Sequence, residues 1–236
     1  MLRASALLGS LTVTGYDGNE VVIEYKSREK RGESKPGDVP AGMHRLFTTR
    51  GEVEAVERNN VITVDAGPLS PEDIVVRVPR QASVSLKTVN GNLTVEGMAG
   101  EVDTEAVNGT ITIRDAPGSV LAHSVNGKIV ASLTRVSGDK MSSFSTMNGE
   151  IDVSLPADVK ARLKMKSDHG DVFTDFDVKT DDGAAPTVNQ GDKGDKHERS
   201  GRYRLRPDRT LYGTVNGGGP EIQFTTYNGR IVIRKK

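Results

Sequence analysis

Three carboxylates at alternating positions, Glu101, Asp103 and Glu105 in the segment GEVDTEA, are the residues whose spacing best suits chemistry. In a strand, alternate side chains point to one side, so these acids share a face, and paired acids are the machinery of glycoside hydrolysis. One repeat later the corresponding positions hold Ser119, Leu121 and His123, which sets Glu105 beneath His123, while Glu96 falls beneath Arg114. Such neighbours make ordinary cross-strand charge pairs, each worth roughly a few tenths of a kcal/mol. The row therefore reads as a solvated face.

The remaining candidates are weaker. His44, His123, His169 and His197 are far apart, with no close-spaced pair of the kind zinc uses. Asp175, Asp177, Asp181 and Asp182 make a small acidic cluster, but its spacing misses both the helix-loop-helix calcium pattern and the glycine-rich calcium repeats. Loop solvation accounts for it. The segment VNGGGP at Val215 leads into no helix and lacks the Lys of a phosphate loop. Ser and Thr are abundant, yet nothing matches a nucleophile elbow or a serine-lysine motif. Cysteine is absent, which excludes thiolate metal sites, disulfides and cysteine nucleophiles. No catalytic residue, cofactor or metal is expected.

The 32 basic and 32 acidic side chains cancel, removing the electrostatic footprint of a nucleic-acid or anionic-membrane binder. No window approaches a membrane span. The opening MLRASALLGSLTVTG turns polar by Ser10, too early for a signal-peptide core. The chain as it stands is expected to be soluble, with any export signal outside it. Glycine is plentiful at 26 residues, whereas aromatics make up 4% and Trp is missing. Many corners and few bulky core residues fit a thin, repetitive β structure.

The elements that carry these side chains follow from a repeat. Gly91, Gly100, Gly109, Gly118 and Gly127 are nine residues apart, and every second one belongs to an Asn-Gly pair. The pairs Asn90-Gly91, Asn108-Gly109 and Asn126-Gly127 define a unit of eighteen residues. The period loosens to Asn148-Gly149 and to Asp168-His169-Gly170, then returns at Asn216-Gly217 and Asn228-Gly229. After most of these corners come apolar residues two apart: Leu93 and Val95, Ile111 and Ile113, Ile129 and Ala131, Ile151 and Val153, Ile231 and Ile233. Period two means one buried face. Val102 and Val120 would point inward from the intervening half-units.

Asn-Gly between alternating runs is also a hairpin signal, so an antiparallel β meander or sandwich stays open as the alternative. The fixed period favours an all-β solenoid of stacked short strands, about 18 to 22 residues per coil, with Val107 above Val89, Ile111 above Leu93 and Ile113 above Val95. At each corner, glycine would permit positive φ, and Asn is the other residue that tolerates it. The Asn amides are also placed to bond one another as ladders of identical side chains do.

The runs VPRQASVSLKTVNGNLTVEG, MNGEIDVSLPADVKARLKMKSDHGDV and GTVNGGGPEIQFTTYNGRIVIRKK, with the opening GSLTVTGYDGNEVVIEY, resemble the bacterial putative-adhesin family, a β-strand-repeat domain of unknown function. The resemblance covers most of the chain apart from two inserts. It implies a β-helix-like solenoid and an exported or envelope-anchored protein, extracytoplasmic at the periplasm or cell surface. Without an export signal, the location would be cytoplasmic. No catalytic pattern comes with it.

One solenoid domain over residues 1–236 is expected. Residues 1–77 would supply N-terminal strands and a cap, with an exposed loop at 27–45. Regular coils would run over 78–176, a flexible insert over 177–201, and C-terminal coils over 202–236. Arg230, Arg234, Lys235 and Lys236 would guard the open edge of the last strand. The function expected is a non-enzymatic structural or interaction module of the bacterial cell envelope, adhesin-like, showing polar faces to a protein or glycan. The second reading is an envelope sensor or regulatory domain with a membrane partner. The third is a polysaccharide-acting enzyme, whose coils would need aligned acidic or histidine clusters.

Overall fold

Alternation sets the local structure. In a computed structural model that describes residues 1–27, 53–67, 72–136, 141–180 and 210–236, the described segments form strands and turns, with no helix. The first strands are β1 (Leu2–Leu8), β2 (Leu11–Tyr16), β3 (Val22–Ser27), β4 (Val53–Arg58), β5 (Val61–Ala66) and β6 (Glu72–Pro79). The repeat follows as β7 (Val84–Asn90), β8 (Leu93–Glu96), β9 (Val102–Asn108), β10 (Ile111–Pro117), β11 (Val120–Asn126), β12 (Ile129–Arg135), β13 (Ser142–Asn148) and β14 (Ile151–Leu155). The chain ends with β15 (Ala161–Ser167), β16 (Val172–Thr174), β17 (Lys179–Thr180), β18 (Thr210–Val215), β19 (Glu221–Asn228) and β20 (Ile231–Lys235).

Each coil lays one strand in a front sheet and the next in a back sheet. The front sheet runs β4-β5-β1-β7-β9-β11-β13-β19-β15-β18-β17, and the back sheet β3-β6-β2-β8-β10-β12-β14-β20-β16. Coil pairs with coil through parallel ladders, for instance β7 with β9 and β10 with β12. The fold is thus a β-solenoid-like stack, and the antiparallel meander or sandwich does not occur. Among the described residues, antiparallel pairing appears only toward the two ends, where β3 meets β6, β4 meets β5, and β18 meets β15 and β17.

The core is built of stacked identical or similar side chains. In the back sheet Ile74, Leu11, Leu93, Ile111, Ile129, Ile151 and Ile231 lie in register, one per coil, and all are buried. A second column runs through Val76, Val13, Val95, Ile113, Ala131, Val153 and Ile233. On the front sheet Phe144 stacks on Phe224, with ring centroids 5.5 Å apart and planes 13° from parallel. Branched aliphatics suit both the pleated strand and a dry interior between two sheets.

The coils do not stack in sequence order. The first coil, β1 with β2, lies between β5–β6 and β7–β8, and the last, β19 with β20, lies between β13–β14 and β15–β16. Both are interior. At the first end the outermost strands are instead β3 and β4, so residues 1–77 supply both an end and an inner coil. The guard role expected of the last strand's cations does not hold, because β20 is paired on both sides, by β14 and β16. Its charges have inward-stack partners: Arg234 Nε meets Asp152 at 3.0 Å, Arg230 bonds Glu150, and Lys236 Nζ reaches Asp115 at 2.6 Å. Of the two expected inserts, the first lies outside the described residues except Ser27. The second begins within them, where Lys179 and Thr180 pair with β18.

Candidate functional site

Where a front strand hands over to a back strand, four residues repeat: a hydroxyl or small residue, an apolar residue, Asn and Gly, as in TVNG, AVNG, SVNG, TMNG and TYNG. The Asn residues form one column. Asn108 Nδ2 donates to Asn90 Oδ1 at 2.9 Å, Asn126 to Asn108 at 3.0 Å, Asn148 to Asn126 at 2.8 Å and Asn228 to Asn148 at 2.8 Å. The order of the links shows the last coil seated directly on the β13–β14 coil.

Beside them, Gly91, Gly109, Gly127, Gly149 and Gly229 stack so closely that a Cβ on Gly109 would lie 1.8 Å from the Gly91 carbonyl oxygen, and one on Gly229 1.9 Å from that of Gly149. The demand for glycine here comes from the coil beneath. The positive φ expected at these corners is not shared by all of them: Gly109 and Gly229 hold φ of 159° and 158°, next to the extended limit, Gly91, Gly127 and Gly149 are not among the positive-φ glycines, and the left-handed region proper is occupied at Asn216-Gly217, with φ of 48° and 86°. Asn216-Gly217 stands apart from the column. The Asn216 Nδ2 donates to the carbonyls of Ala157 and Val159, at 3.2 and 2.9 Å.

Inside the corner runs a column of hydroxyls that the sequence reading did not single out. Thr146 donates to the Gly127 carbonyl at 3.1 Å, Thr226 to Gly149 at 3.1 Å, Ser167 to Gly229 at 2.9 Å and Thr88 to Gly9 at 3.3 Å. Each gives a crowded glycine carbonyl a donor. Ser124 occupies the same column, buried, with no partner for its hydroxyl.

Outside the corner lies a row of exposed apolar side chains; the repeat stacks Val107 on Val89, as the register of β7 with β9 has it, but the sequence reading did not place that row on the surface. Leu7 is 42% exposed, Val107 39%, Met147 54% and Tyr227 48%, with Val89 and Val125 half-buried between them. Their flanking residues pair in register from coil to coil, so the row follows the stack axis for about 24 Å at about 4.8 Å per coil. His169 packs edge-on against Tyr227, 4.8 Å between centroids. The signal was available: position parity in each strand puts the residue between hydroxyl and Asn outside.

The acids singled out first are engaged as neighbours across strands. Asp103 accepts from Ser85 Oγ at 3.2 Å, and Glu105 holds Lys87 at 2.8 Å. That hydrogen bond raises the Lys87 ammonium above its usual pKa. Glu105 lies in register with His123, and Arg114 bonds Glu96. A tighter network joins three coils on the back sheet: Lys128 Nζ meets Glu150 at 2.8 Å and Asp152 at 3.4 Å, with Arg230 and Arg234 on the far side. The Lys128 hydrogen bond, with Arg230, holds the Glu150 carboxyl below its usual pKa. Burial pushes Asp152 up, but Arg234 and Lys128 outweigh it and leave it lowered.

Among the described residues no group of three or more His, Asp or Glu is placed to hold a metal ion. Asp175 accepts from the Lys235 backbone N–H at 2.8 Å. Asp181, Asp182, His44 and His197 lie outside the described residues. No helix among the described residues is long and apolar enough to cross a membrane.

Residues 33–200 match the Toastrack DUF4097 family. The chain belongs to that family. This Toastrack match leaves out the β1–β2 and β19–β20 coils, although both lie inside the stack. No curated protein matches the chain. Among solved structures, one described as a putative cell adhesion protein from Clostridium sporogenes is 10% identical and covers 100% of this chain and 92% of its own, with a TM-score of 0.44.

Proposed function

We propose that this Toastrack chain is a non-enzymatic interaction module, adhesin-like in the sense that it holds a partner on its solenoid surface. The observation that carries the reading is the exposed apolar row Leu7-Val89-Val107-Val125-Met147-Tyr227 beside the Asn ladder. Scattered exposed apolar residues need no explanation, but a contiguous line of them costs solvation along its whole length and marks a contact surface. Arg162, Lys164 and Lys166 alternate on the outer side of β15 at one end of the same sheet, and Asp103 and Glu105 lie on β9. A protein or glycan lying along the stack would meet apolar, amide and charged groups in a fixed order. The bacterial envelope is the setting implied by the sequence resemblance.

The test is binding of the full chain to whole bacterial cells and to isolated wall and membrane fractions. Met147→Asp with Tyr227→Ser should lower binding about tenfold, equivalent to about 1.4 kcal/mol, with little change in melting temperature because both side chains face solvent. Undiminished binding by this variant would remove the apolar row from the site. Turnover of a polysaccharide lost on Glu101→Gln would favour the enzyme reading instead.

A further inference from the structure

The last coil fills a slot that the preceding chain has already framed. Leaving β14, the chain places β15 and β16 two coils away from β13 and β14, and only β19 and β20 close the gap. The walls of the slot are parallel strand edges on both sides of both sheets. β13 and β15 bracket β19 through Phe144, Thr146, Leu163 and Met165, and β14 and β16 bracket β20 through Ile151, Val153 and Val172.

One short crossing joins the segment in the slot to the preceding chain. Residues 216–220, NGGGP, carry the chain from β18, on one side of β15, to β19 on its other side. The crossing is tight: Asn216, Gly217 and Gly218 hold φ of 48°, 86° and 84°, and a Cβ on Gly219 would lie 2.2 Å from the Lys160 carbonyl oxygen. Short, tightly folded hinges favour exchange of the element they carry between copies, since opening the hinge frees its backbone and every other contact is remade.

We propose that this slot is a strand-accepting site and that the partner it fits is the 221–236 segment of a second copy of this chain, giving a reciprocally exchanged dimer. The occupant has all that recognition needs. Its Asn228 completes the amide ladder, Phe224 stacks on Phe144, and Arg230 and Arg234 neutralise Glu150 and Asp152. Backbone ladders on both edges supply affinity, and the alternating pockets supply register, as in other strand-addition complexes.

The chain contains no cysteine, so single cysteines report exchange directly. Ser145 on β13 and Thr225 on β19 are in-register neighbours. Full-length Ser145→Cys and Thr225→Cys proteins, unfolded, mixed and refolded together over a range of concentrations, should give a dimer carrying the mixed disulfide. Pairing Ser145→Cys with Thr12→Cys, on the back sheet, should not. Gly217→Val, whose added Cβ meets no atom within 4 Å, burdens only the positive-φ hinge and should raise the dimer fraction about fivefold. With the native hinge, monomer at every concentration, or a dimer without the disulfide joining the two substituted positions, overturns the proposal whatever the hinge variant does.

Discussion

At the scale of single residues, the corner shows how one residue type can be required for two physical reasons. Gly109 and Gly118 both belong to the nine-residue glycine period, yet a Cβ at Gly109 would strike the Gly91 carbonyl, while one at Gly118 meets nothing within 4 Å and faces only a φ of 118°. Gly118→Ala should therefore cost about 1–3 kcal/mol of backbone strain. Gly109→Ala should cost more than about 4 kcal/mol, since two coils must part to admit it. Chemical denaturation of the two variants checks the order; equal losses would mean that the coils approach less closely at Gly109. Spacing revealed that glycine was needed at both places. It could not separate a backbone angle from a neighbouring carbonyl, because that neighbour is eighteen residues away in sequence at Gly109 and absent at Gly118.

At the scale of elements, charge couples the last coil to the body of the stack. Glu150 and Asp152 have lowered carboxyl pKa values and are mostly shielded. A carboxyl depressed in the folded chain binds its proton less readily there than in the unfolded chain. Its stabilising effect is thus complete above the ordinary carboxylate value and fades as the pH falls toward the depressed one. Glu150→Gln should lower stability by about 1 kcal/mol at neutral pH, discounted for the exposed Lys128 and Arg230 partners. The gap from the native chain should close below about pH 4. Melting curves at both pH values test this, and a gap that persists in acid would assign the effect to packing.

Most strands of the regular coils were legible from alternation, because Ile111 and Ile113 or Ile151 and Val153 have no other way to share an interior. The antiparallel ends were not. There the pairing of β3 with β6 or β18 with β15 depends on which edges remain open, and local sequence does not encode that. Nor was the order of coils legible. A segment such as TYNGRIVI specifies the shape of a coil and would fit almost anywhere in the stack.

At the scale of the whole molecule, the β1–β2 and β19–β20 coils both lie inside the stack, bonded on each side. Chain ends ordinarily fray first. Here amide hydrogens of β1 and β19 should exchange as slowly as those of β9 and β11, with β3, β4, β16 and β17, the edge strands among the described residues, exchanging fastest. Exchange measured by mass spectrometry after proteolysis will show it. Rapid exchange at Ala4, Ala6, Phe224 and Thr226 would mean that the terminal coils are not held between their neighbours.

The mirrored arrangement of the two ends leaves β9 to β12 as consecutive turns that touch only their immediate neighbours. Eighteen residues inserted there would lengthen the rod by about 4.8 Å and leave each terminus to find the same berth as before. The reach of such a protein can be tuned by duplicating its middle, in increments as regular as the marks on a ruler.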